Sequence, residues 1–570
     1  MHSLPTGLRS PLPIAPFQLG WNDVSWHKQG GNQVQTPKLA ALANEGVLLS
    51  NYYVYRFCSP SRSTFMTGRY PSHVGQQTSQ NLNPTPGIAC GINLKYDFMS
   101  AVLRKAGYRT HALGKWHLGY FKPSYTPTGR GFDTYTGYYS GAEEHFTHYK
   151  AGEGKNYFDL ANNSGADLRP LKAWCGHKKT ETEKYYSVYL YGNETTRLIR
   201  RHAHEYKAQP IYFYLAWNVV HAPDEAPAAY VAQNAHIANA NRRNFAGMLS
   251  ALDDSALAVV DELKAQQMWD DTIFVFSTDN GGNLGGGGNN LPLRGGKYTF
   301  WEGGTRGVGF ITSPLLPKGM AGRSYGGLIH AVDWYTTFAA LGGAAVSATG
   351  PLPADGINVW PALVANKTDA QRSVLIQCMS ANMHGQKLNK TLGAVRQGKW
   401  KYIDGYPGWK DSWDGHFPLP GPDNVVDDEE QRHEGQMIPQ SFRDALAAGE
   451  GGDSSTAGGR RALQAGPKPP YKSNCSDISG EGGSHCCTTT PCLFDLSVDA
   501  GESHDVAAAN PAVVAEMAAF LAKFQKTEVS LPNSGLCPTN YSTGSDPRCA
   551  EAAAKIDPPF WVPWCADTGP

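Results

Sequence analysis

The sequence lacks any apolar stretch of the ~20 residues that a bilayer-spanning helix requires. Its longest such run, PIYFYLAWNVV at 210–220, has the length and aromatic, β-branched make-up of a buried strand. Net charge is also missing, since 50 basic residues cancel 50 acidic ones. That excludes the bulk electrostatics by which a chain holds nucleic acid or an anionic membrane. The N-terminal stretch MHSLPTGLRSPLPIAPFQ has prolines where a secretion signal has its apolar segment, and does not read as one. There are no internal repeats. Cysteine, by contrast, is plentiful. Eleven is an odd count, so in an oxidising compartment ten can pair and one stays over. Six Asn-x-Ser/Thr triplets, at Asn162, Asn193, Asn366, Asn389, Asn474 and Asn540, also fit a secreted or lysosomal chain.

What is present is an alternation of short apolar runs and helix-like segments from Leu19 to about Gln397, the pattern of an α/β domain. LRKAGYRTHALGKWHLG (103–119) reads as a helix end, a glycine turn and a strand whose tip carries Lys115 and His117. The run at 210–220 delivers His221 just past its end, and DTIFVFSTDNGG (271–282) delivers Asp279 and Asn280 into a glycine-rich loop. NFAGMLSALDDSALAVVDELKAQQ (244–267) has helical periodicity. Ligands of open parallel sheets bind beyond the carboxyl ends of the strands, so three polar strand tips argue for one composite site. The expected division is an atypical segment 1–18, a catalytic domain 19–395 and a smaller C-terminal domain 396–570. The last holds a polar, Gly- and Ala-rich insertion at 420–470, four cysteines within 475–492 and an amphipathic helix ending near Gln525. Cys537, Cys549 and Cys565 are placed to staple the tail.

Cys58 opens the run CSPSRSTFMTG. Ser59 could cap a helix with Pro60 at its first position, which would set Cys58 at the positive helix end beside Arg62. That setting suits an anion or a reactive sulfur. A structural half-cystine and a packing turn fit the same residues. Asp279 and Asn280 offer hard oxygens, suited to Ca²⁺ or Mg²⁺ rather than zinc, but Asp-Asn-Gly is also a common turn. Lys115 and His117 would point to one side of a strand, His221 stands alone before Ala-Pro, and Lys297 lies in the glycine-rich LRGGKYTFWEGG (293–304). Each has an ordinary structural reading. Together, two lysines, an arginine, two histidines, an acidic metal pair and an odd cysteine suit a tetrahedral dianion or a sulfate monoester.

CSPSRSTFMTG resembles the sulfatase signature Cys-x-Pro-Ser-Arg-x-x-x-Thr-Gly. GKWHLG (114–119), RGFDTYTGYYSG (130–141), VVHAP (219–223), STDNGG (277–282), LRGGKYTFWEGG (293–304) and LFDLSVDAGESHDVA (493–507) match further blocks of that family in order. The resemblance covers about Leu19 to Gln525, and GYYSGAEEHFTHY with DNGGNLGGGGNNLPLRGGK is similar to its arylsulfatase B branch, which removes 4-sulfate from N-acetylgalactosamine in dermatan and chondroitin sulfates. It implies an α/β, alkaline-phosphatase-like mixed sheet flanked by helices, with a small C-terminal α+β domain. It also implies a sulfuric ester hydrolase acting on a sulfated small molecule or glycan. Cys58 would be converted to formylglycine by the formylglycine-generating enzyme, and its hydrate would attack sulfur. Arg62 would hold the hydrate, Lys115 and Lys297 would grip sulfate oxygens, His117 would support the hydrate, and His221 would protonate the leaving oxygen. Asp279 and Asn280, with residue 58, would form part of the shell of one Ca²⁺.

One block departs from the family. Before LGWNDV the family has an apolar strand ending in Asp-Asp, where this sequence has PLPIAPFQ, with Phe17 and Gln18 at the pair. The strand and two carboxylate ligands are therefore expected to be absent, and Asp23, five residues on, is not expected to replace them. A start lying further upstream would explain the missing strand, ligand pair and signal together. The rival is a metal-poor homologue that binds sulfated glycans without cleaving them. A phosphatase or phosphodiesterase of the same superfamily would use Ser or Thr where Cys58 stands.

Overall fold

The computed structural model describes residues 10–14, 19–27, 33–76, 90–152, 155–171, 183–346, 348–368, 372–383, 386–405, 407, 487, 490–529, 555 and 563. The strands begin with β1 (Ser10–Ile14), β2 (Val47–Leu49), β3 (Tyr52–Tyr53), β4 (Arg109–Lys115), β5 (Thr134–Tyr138) and β6 (Tyr149–Gly152). They continue with β7 (Lys155–Phe158), β8 (Ala161–Ser164), β9 (Ile211–Ala216), β10 (Thr272–Ser277), β11 (Gly309–Thr312) and β12 (Arg323–Tyr325). Last come β13 (Ile329–His330), β14 (Val374–Met383), β15 (Gln386–Gln397), β16 (Trp400–Asp404) and β17 (Cys492–Asp495).

Nine of these form the main sheet, in the order β12-β2-β11-β10-β1-β9-β4-β5-β8. β10, β1, β9, β4 and β5 are parallel, so their carboxyl ends share one edge; β11 and β8 run antiparallel to their neighbours. β9 and β10 are buried at every residue. That is why their sequences are unbroken apolar runs rather than alternating ones. Helices α1 (Pro37–Asn44), α2 (Cys58–Thr67), α3 (Met99–Lys105), α4 (Ser187–Glu205), α5 (Ala228–Gln233) and α6 (Ala240–Ala265) pack around it. α6 meets α1, α4 and α5, while α2 and α3 meet the helix Asp333–Leu341. The side chain of Asn239 caps α6 by accepting from Arg242 N–H at 2.9 Å.

The missing strand is a correction. Residues 10–14 occupy the centre of the sheet, pairing with β10 along their whole length and with β9 at Ile14. Prolines are rare in a central strand, because each lacks a ladder donor. Pro11 and Pro13, two apart, remove donors from a single edge of β1, and the ladder toward β9 is correspondingly reduced to one pair. Phe17 and Gln18 lie outside the described residues.

The smaller unit is a four-stranded antiparallel sheet, β14-β15-β16-β17, covered by the helix Pro511–Gln525 through Met517 and Leu521. It begins at Val374, ahead of the division expected at 395/396, because β14 and β15 form a hairpin whose second strand pairs with β16. A buried charge cluster joins it to the main domain. Lys401 Nζ lies 3.0 Å from Glu302 and 2.7 Å from Glu502, and Tyr53 donates to Glu302 at 2.6 Å. Cys487 and Cys492 form a disulfide. The 420–470 insertion and Cys537, Cys549 and Cys565 fall outside the described residues.

Candidate active site

Cys58 is the first residue of α2, and Phe57, in extended conformation, precedes the helix without a side-chain cap. The helix therefore starts earlier than Ser59 suggested. Ser59 instead donates to the carbonyl of His117 at 2.8 Å, tying α2 to the tip of β4. Every residue of α2 is buried, so its first turn faces the carboxyl edge of the sheet from inside the protein. Cys58 is a free thiol, and its Sγ lies 3.5 Å from Asn280 Oδ1 beyond β10.

Arg62, one turn along, is fully buried and reaches three strand ends. It donates to the Lys115 carbonyl at 2.8 Å, to Tyr214 Oη at 3.0 Å and to Asp279 Oδ2 at 3.2 Å. Asp279 is enclosed, and burial pushes its carboxyl up against the opposing pull of Arg62, Lys115 and Lys297. Lys115 is buried too; burial is the main cause that pushes its ammonium down to about 8, with Arg62 and Lys297 adding to it. Lys297 sits in a loop fastened by Asn290, whose side chain bonds Gly282 N–H at 2.9 Å, Gly282 O at 3.0 Å and Gly295 O at 3.0 Å. The loop needs glycine at Gly281, where a Cβ would stand 1.7 Å from the Gly303 carbonyl.

His117 has φ 57°, a left-handed conformation costly for a side-chain-bearing residue and typical of functional positions. His221 Nδ1 lies 2.8 Å from the Ala222 carbonyl, which can only accept, so that nitrogen carries a proton and Nε2 is the atom that gains or loses one. Both imidazoles are held well below their ordinary range, first by burial and then by Lys115 and Lys297. Two neutral rings flanked by cations await a negative charge.

All the sequence-derived candidates are therefore brought to one edge of the sheet: Cys58, Arg62, Lys115, His117, His221, Asp279, Asn280 and Lys297. Tyr214, His145 and Lys150 escaped the sequence reading. Tyr214 was hidden in an apolar strand. His145, whose Nε2 donates to the His221 carbonyl at 2.8 Å, and Lys150, whose charge acts on both histidines, lie in or just beyond GYYSGAEEHFTHY, where no role was assigned.

For a hard cation the fit rests on Asp279 Oδ1, a buried oxygen that accepts no hydrogen bond, and on Asn280 Oδ1 beside residue 58. They supply two of the roughly six oxygens such an ion takes. Asp23 is engaged elsewhere, paired with Arg242 and accepting from the backbone of Gly20 at 2.8 Å and Asn289 at 3.0 Å. Among the described residues, no group of three or more His, Cys, Asp or Glu side chains forms a further metal cluster.

The family model named Sulfatase matches residues 18–344. Mouse arylsulfatase J is 30% identical over 557 residues, covering 96% of this chain and 78% of that protein. Human N-acetylgalactosamine-6-sulfatase is 28% identical over 369 residues, covering 61% of this chain and 64% of that protein. Among solved structures, Ps i-CgsB in complex with k-i-k-neocarrahexaose aligns over 93% of this chain and 95% of its own, with 26% identity and a TM-score of 0.66. The phosphonate monoester hydrolase of Agrobacterium radiobacter aligns over 91% of this chain and 96% of its own, and at 17% identity and a TM-score of 0.52 it shares the fold alone. The matched region contains every site residue from Cys58 to Lys297, on an alkaline-phosphatase-like sheet, and the chain belongs to the sulfatase family of sulfuric ester hydrolases.

Proposed function

We propose that this chain hydrolyses sulfate monoesters of glycans, with residue 58 as the source of the nucleophile. The carrying observation is the convergence at the buried start of α2, where Cys58 meets Asn280 and Arg62 meets Asp279 and the Lys115 carbonyl. Converted to formylglycine, residue 58 supplies a hydrated aldehyde able to attack sulfur. Cys58 is buried once α2 has packed, so the formylglycine-generating enzyme would act on the chain before it folds. Asp279 and Asn280, beside residue 58, would hold a calcium ion, which would supply positive charge toward the sulfate oxygens.

The chain's own residues do the rest. Lys115 and Lys297 bind sulfate oxygens in a dry site, where fixed charge is worth far more than in water. Arg62 holds Asp279 in place and adds charge behind residue 58. His117 holds the proton of the residue 58 hydroxyl, and His221 passes one from Nε2 to the leaving oxygen. The glycan part of the reading is supported by the relatives: one is named for N-acetylgalactosamine 6-sulfate, and Ps i-CgsB holds a carrahexaose. The arylsulfatase B resemblance favours galactosamine 4-sulfates. The Cys487–Cys492 disulfide and exposed Asn162, Asn193 and Asn366 support maturation in the secretory pathway, toward lysosome or exterior.

A second reading, a glycan-binding homologue without turnover, is favoured by Phe17-Gln18 in place of two carboxylates. The test uses the protein with oxidation of residue 58 established by peptide mass spectrometry, assayed with excess Ca²⁺ on 4-methylumbelliferyl sulfate and phosphate. Turnover of sulfate alone supports the hydrolase. Preference for phosphate moves it to the phosphatases, and no turnover of either leaves the binding reading.

A further inference from the structure

His221 stands in a loop just past the end of β9, and the bond from its Nδ1 to the Ala222 carbonyl ties the ring to its own backbone. Whatever holds that backbone therefore sets where Nε2 points. The His221 N–H donates to the Asn218 carbonyl at 3.1 Å, and the His221 carbonyl accepts from His145 Nε2 at 2.8 Å. Both backbone groups end on one buried network.

That network leads to a carboxylate. Asn218 donates from Nδ2 to Glu143 Oε1 at 3.1 Å and accepts at Oδ1 from Ser187 Oγ at 2.8 Å. Ser187 is the first residue of α4; its Oγ lies 3.2 Å from His145 Nδ1, and its N–H donates to the His145 carbonyl at 2.9 Å. Tyr191, one turn along α4, donates to the same Glu143 oxygen at 2.7 Å. All five of these side chains are buried, so removing one partner leaves another unpaired away from water. Asn218 is the branch point. Its backbone holds the His221 N–H, and its side chain connects Glu143 to Ser187, His145 and so to the His221 carbonyl.

We propose that Glu143 is a positioning residue that sets the place of the leaving-group acid, His221, through Asn218 and the Ser187–His145 bridge. The proposal rests on the sulfate-hydrolase reading, with His221 in that role. Glu143 Oε1 takes both donors and so turns the Asn218 amide, with Nδ2 toward the carboxylate and Oδ1 toward Ser187. That in turn directs the single hydroxyl proton of Ser187. Glutamine at 143 keeps an accepting oxygen for both donors, whereas leucine keeps only the volume.

The test measures kcat and KM for Glu143→Leu, Glu143→Gln and Ser187→Ala on aryl sulfates running from the good leaving group of 4-nitrophenyl sulfate to the poor one of 4-methoxyphenyl sulfate. Each variant is made alone and on a His221→Gln background. Glu143→Leu and Ser187→Ala should lower kcat on the poor leaving groups by up to about 100-fold, the cost of misplacing a reacting group by roughly 1 Å. KM and the 4-nitrophenyl rate should change little, and Glu143→Gln should keep most of the wild-type kcat. On the His221→Gln background the same substitutions should cost nothing further, because they act through that residue. A loss equal in both backgrounds, a loss equal on all leaving groups, or full activity of Glu143→Leu overturns the proposal. Ser187→Ala, which removes a single oxygen, decides the matter by the same criteria where Glu143→Leu does not fold. If the wild type turns over none of these sulfates, or His221→Gln costs no more on poor leaving groups than on good ones, the reading beneath the proposal has failed on its own. Deuterium exchange of the peptide 217–222 then decides the positioning. Faster exchange in Glu143→Leu and Ser187→Ala than in wild type and Glu143→Gln supports it, and unchanged exchange overturns it.

Discussion

Asn280 Oδ1 lies 3.5 Å from Cys58 Sγ, while its own amide nitrogen donates to the Gly281 carbonyl at 2.7 Å. The carboxamide is therefore fixed with its oxygen toward residue 58. Next to it stands Asp279 Oδ1, buried and unbonded. Replacing Asn280 by Leu keeps the bulk and removes the only neutral hard ligand of the pair. Calorimetric titration with Ca²⁺ should register a fall in affinity of at least about tenfold for Asn280→Leu and a larger one for Asp279→Asn, since charge dominates hard-ion binding. Equal affinity in wild type and both variants would remove these residues from the cation site.

Arg62 holds the site together as much as it serves it. Its guanidinium spans α2, β4, β9 and the loop after β10, and nothing but a planar fork meets the Lys115 carbonyl, Tyr214 and Asp279 at once. Arg62→Met strips the buried Asp279 carboxylate of its ion-pair partner and leaves only the pull of Lys115 and Lys297, at a cost of about 3–5 kcal/mol. Arg62→Lys should recover only a minor part of that stability in chemical denaturation. A lysine variant as stable as wild type would reduce Arg62 to a point charge.

The pH dependence of turnover has two parts. His221, neutral in the free protein because burial and two lysines push its pKa below the ordinary value, can act as an acid only when protonated. The expected kcat/KM therefore rises as pH falls through and below 6.5, and His221→Gln should flatten that limb and cost about 10²–10⁴-fold on poor leaving groups. The loss should be smaller on 4-methylumbelliferyl sulfate, whose leaving group needs less help. Lys115, pushed down to about 8, loses its charge as pH rises through that value, so KM should climb above pH 8. A flat KM from pH 7 to 9.5 would take Lys115 out of sulfate binding.

Much of this was legible before the coordinates, and for one physical reason. Strands buried on both faces, β9 and β10, announce themselves as apolar runs, and His221 and Asp279 were read from their place just past those runs; Lys115 ends β4, whose sequence RTHALGK is no such run. The periodicity at 244–267 likewise marked α6, found at Ala240–Ala265. What escaped depended on long-range partners. SPLPI holds a central strand position that its prolines argue against, supported by the full β10 ladder. Ser59 looked like a cap and bonds His117 instead, a residue 58 positions away. His145 sits in a turn with no periodicity, and only the fold brings it against the His221 carbonyl. The C-terminal sheet began early because β14 and β15 pair with β16, a non-local fact.

The junction between the two units should tighten as the medium becomes acidic. Glu502 and Glu302 face one ammonium, Lys401, with Tyr53 and Gln377 donating to Glu302 and Arg294 donating to the Glu502 carbonyl. Arg306 and Arg396 stand further off, at 3.8 and 3.9 Å from Glu302. Burial, with Glu302 adding to it and Lys401 opposing, pushes the Glu502 carboxyl up from 4.5 to about 7. The folded protein thus holds this proton more tightly than the unfolded chain does. Its contribution to stability is complete below about pH 4.5 and is lost as pH rises through 7. Buried neutral histidines act in the opposite sense, so the diagnostic is a difference between variants. Glu502→Gln, which mimics the protonated acid, should gain in melting temperature relative to wild type as pH rises from 5 to 8. Parallel melting curves across that range would mean that the Glu502 proton is not coupled to the junction.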